Sequence, residues 1–244
     1  MTRLASMAGL AAACIALALP TAARAHYLWL EQDKAGGHLY FGEYEELVRE
    51  QSPGRLDEMP SPQIRATAAQ PGQANPLPAR RETGGFAFAR PARGATVTAT
   101  ESAYAVKDWT RAGIGIVKPM FYARLVGATP AGDADAMTLD ILPTGTRGEY
   151  RVVFQGAPLP ATDVRIIAPN AWTREATTGK DGRVRFDFPW RGQYILHVVH
   201  LERTPGTFEG KSYEAVRHRA TATLYVPAGP ATPVPARWQP SMPH

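Results

Sequence analysis

Apolar residues along this chain fall in short runs, divided by Gly and Pro, and sustained helical periodicity is almost absent. That pattern predicts strands and turns rather than helices. Strands are expected at 27–31 and 38–41, with Lys34-Ala35-Gly36-Gly37 as the hairpin turn between them. Residues 42–50, with 52–54 and 56–59 after them, read as one helical turn or as an irregular acidic loop. Residues 60–78, rich in Pro, Gln, Ala and Gly, read as a long connection. Strands follow at 86–89 and 96–100, and 104–109 leads into an extended, aromatic-rich stretch at 113–124.

A composition shift at 128–136 marks a boundary, and beyond it the turns come at regular spacing. Strands are expected at 139–143, 150–154, 164–168, 183–188, 193–202 and 213–226, with Gly179-Lys180-Asp181-Gly182 as one of the turns. About seven strands at this spacing predict an immunoglobulin-like sandwich. The Pro-rich tail, 227–244, is expected to be disordered. The fold class is therefore all-β, with two β-sandwich domains at 26–136 and 137–226.

Residues 1–25 read as a cleaved signal peptide. Arg3 supplies the positive start, 4–19 form a short apolar core, Pro20 breaks it, and Ala23-x-Ala25 is a small-residue cleavage site. The expected location is the periplasm. The only cysteine, Cys14, lies in that apolar core, so the mature chain has no thiolate ligand, disulfide or cysteine nucleophile. Removing residues 1–25 takes Arg3 and Arg24 from the 27 basic residues and none of the 22 acidic ones, so the net charge falls from +5 to +3. That balance, with no basic cluster interleaved with aromatics, points away from nucleic acid.

Cleavage after Ala25 would leave His26 first. A terminal α-amine and an imidazole on one residue form a bidentate metal clamp. The amine titrates at about 7.7–8.0, so a metal can displace its proton near neutral pH. Without thiols, His and carboxylate ligands suit nickel, cobalt or copper. His197-Val198-Val199-His200 does not chelate through both rings if it lies on a strand, because residues three apart point to opposite faces. His200, beside Glu202 at the strand end, is the better ligand. A hairpin centred near residue 208 puts residue 200 opposite about 216, and His200 and His218 become diagonal neighbours roughly 7–8 Å apart. The expected ligand set is His26, His200 and His218, with Glu31, Glu43, Glu45 or Glu46 as a further ligand or an outer acceptor. His38 reads as a hairpin residue and His244 as part of the tail.

The motifs His26-Tyr-Leu-Trp-Leu-Glu31, Phe41-Gly-Glu-Tyr44, Ser52-Pro-Gly54 with Leu56-Asp57, Tyr104-Ala-Val-Lys-Asp-Trp109, Gly115-Ile-Val-Lys-Pro-Met120 and Pro189-Trp-Arg-Gly-Gln-Tyr194 through His200 span nearly the whole mature chain. Together they resemble a bacterial exported family of unknown function, described as similar to the periplasmic component of ABC-type cobalt/nickel transport. The second half, with Thr178-x-x-Asp181-Gly182-x-Val184-x-Phe186, is similar to the carboxypeptidase-regulatory type of β-sandwich. The resemblance implies a periplasmic protein that binds a transition-metal ion for uptake or buffering. It implies His26 and His200 as ligands and a membrane metal transporter as partner.

No Gly-x-Ser-x-Gly elbow, His-Glu-x-x-His, phosphate loop or dinucleotide fingerprint occurs, so the expectation is a binding protein and not an enzyme. Two other readings stand beside it. One is a copper histidine-brace oxidative enzyme, with Trp29, Tyr104 and Trp109 as a substrate face. The other is a metal-free cell-envelope module that binds through an exposed strand edge.

Overall fold

The computed structural model describes residues 26–67, 74–128, 137–234 and, for the backbone alone, 239–240. The expected signal peptide, all but the first residue of the composition shift at 128–136, and His244 lie outside the described residues. The first half contains β1 (Tyr27–Gln32), β2 (Gly37–Glu43), β3 (Val48–Arg49), β4 (Gln63–Thr67), β5 (Ala74–Pro76), β6 (Ala79–Glu82), β7 (Gly85–Phe88), β8 (Val97–Glu101), β9 (Lys107–Trp109) and β10 (Gly115–Leu125). The second contains β11 (Leu139–Pro143), β12 (Glu149–Phe154), β13 (Ala157–Pro158), β14 (Asp163–Ile167), β15 (Thr173–Thr177), β16 (Arg183–Arg185) and β17 (Gly192–Glu202). It continues with β18 (Gly206–Phe208), β19 (Lys211–Tyr213), β20 (Ala215–Val226) and β21 (Gln239–Pro240). The only helical elements among the described residues are two 3₁₀ turns, Arg55–Glu58 and Thr110–Ala112. The all-β class holds.

Three layers result. A nine-stranded central sheet runs β15-β14-β17-β20-β10-β8-β4-β5, with β9 paired to β10. A front sheet, β21-β3-β2-β7-β6 with β1 on β2, packs on one face, and a back sheet of β11, β12, β13 and β16 packs on the other. Alternation along β10 shows how one strand serves both interfaces. Phe121 and Ala123 enter the front core with Leu28, Leu30, Leu39 and Phe41. Tyr122 enters the back core with Ile141, Val152, Leu196 and Ala222. A third cluster, Tyr27, Trp29, Tyr44, Ile167 and Ile195, extends the front contact across to β14 and β17.

The boundary expected near residue 136 does not separate the sheets. β10 from the first half pairs in parallel with β20 from the second, from Val117↔Ala215 to Leu125↔Thr223. These strands, of 11 and 12 residues, are largely buried. A parallel pair is stable where both faces are covered, and the front and back sheets cover it. Within the expected connection at 60–78, Gln63–Thr67 and Ala74–Pro76 are strands β4 and β5, which extend the central sheet. Within the expected disordered tail, Gln239–Pro240 pairs in parallel with Val48–Arg49.

Candidate functional site

The front sheet delivers His26. The turn after β1 is closed by the Asp33 N–H donating to the Gly36 carbonyl at 3.0 Å, with the Asp33 carboxylate accepting from Ala35 and Gly36 N–H groups. That turn pairs Tyr27 with Gly42. The next antiparallel position sets His26 across from Glu43, and opposed residues share a face. The chain then turns through 44–47 and returns as β3, and the Glu50 N–H donates to the Phe41 carbonyl at 2.8 Å. Glu43 and Glu50 thereby flank one side chain. Among the described residues β1 has no second strand partner, and the central sheet satisfies its outer carbonyls instead. Arg219 Nη1 donates to His26 O at 2.6 Å, and Thr221 Oγ1 to Leu28 O at 2.7 Å.

The imidazole is 7 % exposed and has a carboxylate at each ring nitrogen. Nε2 meets Glu50 Oε1 in a short hydrogen bond. Nδ1 lies 2.9 Å from Glu43 Oε1, yet that buried oxygen makes no hydrogen bond among the described residues. The ring packs on Phe41 at 5.2 Å between centroids. Arg55 Nη1 reaches across it, 3.1 Å from Nε2 and 3.5 Å from Nδ1, and is 3.7 Å from Glu50. The other carboxylates near His26 in sequence are used elsewhere. Glu31 accepts from Trp29 Nε1 and Arg49, Glu45 pairs with Tyr27 and Arg165, and Glu46 is exposed.

The three expected histidine ligands do not converge. His26 sits on the front face of the central sheet, whereas His200 and His218 face the back core. The register also differs from expectation: His200 pairs directly with His218, not with residue 216. The turn falls at Glu209 and Gly210, both with positive φ, between the short strands β18 and β19. Such a two-residue turn suits the twist of a hairpin; the β17–β20 ladder runs one residue out of step with it, and the residue opposite His200 lies two further along than expected. The rings of His200 and His218 are 6.3 Å apart. Nε2 of His218 lies 3.1 Å from Glu202 Oε2, and its Nδ1 lies 3.0 Å from the Tyr122 hydroxyl, so both nitrogens are engaged. Burial holds both imidazoles below the usual histidine range. His197 takes the opposite face from His200, as strand alternation requires, and stacks on Tyr27 at 4.5 Å.

Burial, followed by the charges of Arg219, Arg165 and Arg217, pushes His197 well below the usual histidine value, and its Nε2 has no hydrogen bond among the described residues. The folded state thus binds this proton more weakly than the unfolded chain. The associated stability is complete above about pH 6.5 and declines as pH falls from there toward the folded pKa. Urea midpoints of the wild type are expected to fall across that window, and His197→Phe to flatten part of the fall. An unchanged pH profile in the variant would assign the acid sensitivity to other groups.

Glu50, Arg55, Arg217 and Arg219 were not singled out by sequence reasoning. Arg217 and Arg219 were legible only as a shared face of the last long strand. Among the described residues no three His, Cys, Asp or Glu side chains form a ready metal cage. Of the aromatics considered as a substrate face, Trp29 and Tyr104 are core residues, and Trp109 lines a small pocket beside His26. Comparison of the chain with protein-family models, curated proteins and solved structures finds no match.

Proposed function

We propose that the mature protein binds a divalent transition-metal ion, nickel, cobalt or copper, at His26, for uptake or buffering in the periplasm. The observation that carries this reading is the buried Glu43 Oε1, 2.9 Å from His26 Nδ1 and without a hydrogen bond among the described residues. Two donors bound cis on one metal at about 2.05 Å each stand about 2.9 Å apart, so this spacing suits a shared ion. Nδ1 is also the ring nitrogen that closes a chelate with the α-amine freed by cleavage after Ala25. The third ligand is then a main-chain group and not another side chain. Glu50 on Nε2 fills the usual role of an outer carboxylate, which fixes the tautomer and orients a ligating ring. The charges balance locally, because Arg55 and Arg219 stand against Glu43 and Glu50.

Titration of Ni(II), Co(II) and Cu(II) into protein that begins at His26 tests the assignment. The expected result is one tight site. Glu50→Gln is expected to weaken it about 10- to 100-fold, and Glu43→Gln by at least about as much. His200→Ala and His218→Ala, on the other face, are expected to leave it unchanged. Loss of affinity in the His200 or His218 variants, with Glu43→Gln neutral, would move the metal to the back of the sheet.

A further inference from the structure

The pocket beside His26 has a second chemistry. Its cavity is about 90 Å³, and its lining contains three arginines, Arg55, Arg217 and Arg219, and no Asp or Glu. Arg217 and Arg219 are two residues apart on β20 and so point to the same face, roughly 7 Å apart along the strand. Like charges held this close in a part-buried wall repel one another. Arg219 is 4 % exposed and spends one nitrogen on the His26 carbonyl. Arg55 has Glu50 and Glu58 within 4 Å. Arg217 has no acidic partner among the described residues. Its guanidinium carbon lies 5.4 Å from the centre of the Trp109 ring. Burial alone pulls it below the usual arginine value, with no neighbouring carboxylate to oppose the shift. Phe41, Ile114 and Phe121 supply apolar wall.

We propose that this pocket binds a small carboxylate anion, with its charged end on Arg217 and Arg219 and a short apolar end against Phe41, Ile114 and Phe121. The planar fork of a guanidinium matches the two oxygens of a carboxylate. A cavity of this size has room for roughly three waters at about 30 Å³ each, the scale of a few-carbon acid. The apolar wall favours such an acid over inorganic phosphate or sulfate, which have no apolar end to place. A bound carboxylate would stand beside His26 as a further oxygen donor for an ion held there. That consequence rests on the metal reading, whereas the anion site itself does not.

The test uses metal-free protein beginning at His26 and follows the indole N–H signal of Trp109 by NMR, assigned with Trp109→Phe. Butyrate, acetate, phosphate and sulfate are titrated separately. The expected result is a saturable shift with butyrate, weaker with acetate and weakest with the inorganic anions. In Arg217→Met, the butyrate response is expected to weaken at least tenfold at an unchanged urea midpoint. Absence of a saturable shift, or an equal response in Arg217→Met, would overturn the site. Phosphate or sulfate binding as well as butyrate would overturn its assignment to carboxylates. Because no metal is present, any of these results is separate from success or failure of the metal titration.

Discussion

Asp140→Ala is expected to lower stability by about 3–5 kcal/mol, measured by urea unfolding, because it breaks a buried ion pair. Arg124 on β10 and Asp140 on β11 are both fully buried and join the central sheet to the back sheet. Arg124 Nε donates to Asp140 Oδ1 at 2.9 Å, and a second guanidinium nitrogen binds Oδ2. The same carboxylate accepts the Met137 N–H at 3.0 Å and the Ile141 N–H at 2.8 Å, so it also shapes the entry to β11. Removing the acid takes both of these bonds from a guanidinium that has no exposure to solvent. Replacing both partners by Leu removes that cost, and the double variant is expected to recover most of the loss. A double variant as unstable as the single one would show that shape and main-chain contacts, not the broken ion pair, dominate there.

This pair also shows what the chain reveals only after folding. Alternation along β10 can be read from the sequence, but nothing local marks Arg124 as the partner of Asp140, because the contact depends on which sheet covers which face. The same distinction runs through the candidate site. Strand existence was legible at 27–31, 139–143 and 193–202 from apolar runs and turn residues, and so was the split between His197 and His200. Register was not. A hairpin turn read at 34–37 lies one position past the one closed at Asp33 and Gly36, which shifts the opposing residue by two, and the register of the last hairpin differs from expectation by the same two residues. Side chains alternate with period two, so a slip of two keeps every face correct and changes only the opposing residue. Glu43 rather than Glu45 therefore stands across from His26, and His218 rather than Val216 stands across from His200.

The layer arrangement was the largest hidden element. Placing His26, His200 and His218 in one site assumed that all three faced one surface. The parallel pairing of β10 with β20 makes a single central sheet with a sheet on each side, and the histidines are divided between its two faces. No local pattern in residues 115–125 or 215–226 specifies that long-range partner. Their unusual length, with apolar residues on both faces of 115–125, was the available signal, because strands covered on both sides read as near-continuous apolar runs.

The second large effect concerns the chain terminus. If the ion is held by the His26 α-amine and Nδ1 together, one extra residue turns the amine into an amide, which no longer competes as a basic nitrogen. Losing one arm of a chelate removes the benefit of intramolecular binding, an effect on the order of 10²-fold or more. Affinity for the free terminus should also rise with pH up to about 7.7–8.0, because the metal must displace the amine proton. The decisive measurement is calorimetric titration of Ni(II), Co(II) and Cu(II) into two otherwise identical proteins, one beginning at His26 and one carrying a single additional residue before it, with both termini verified by mass spectrometry. One tight site is expected in the first protein, and its loss in the second. Equal affinity in both, or no tight site in either, would contradict the terminal clamp.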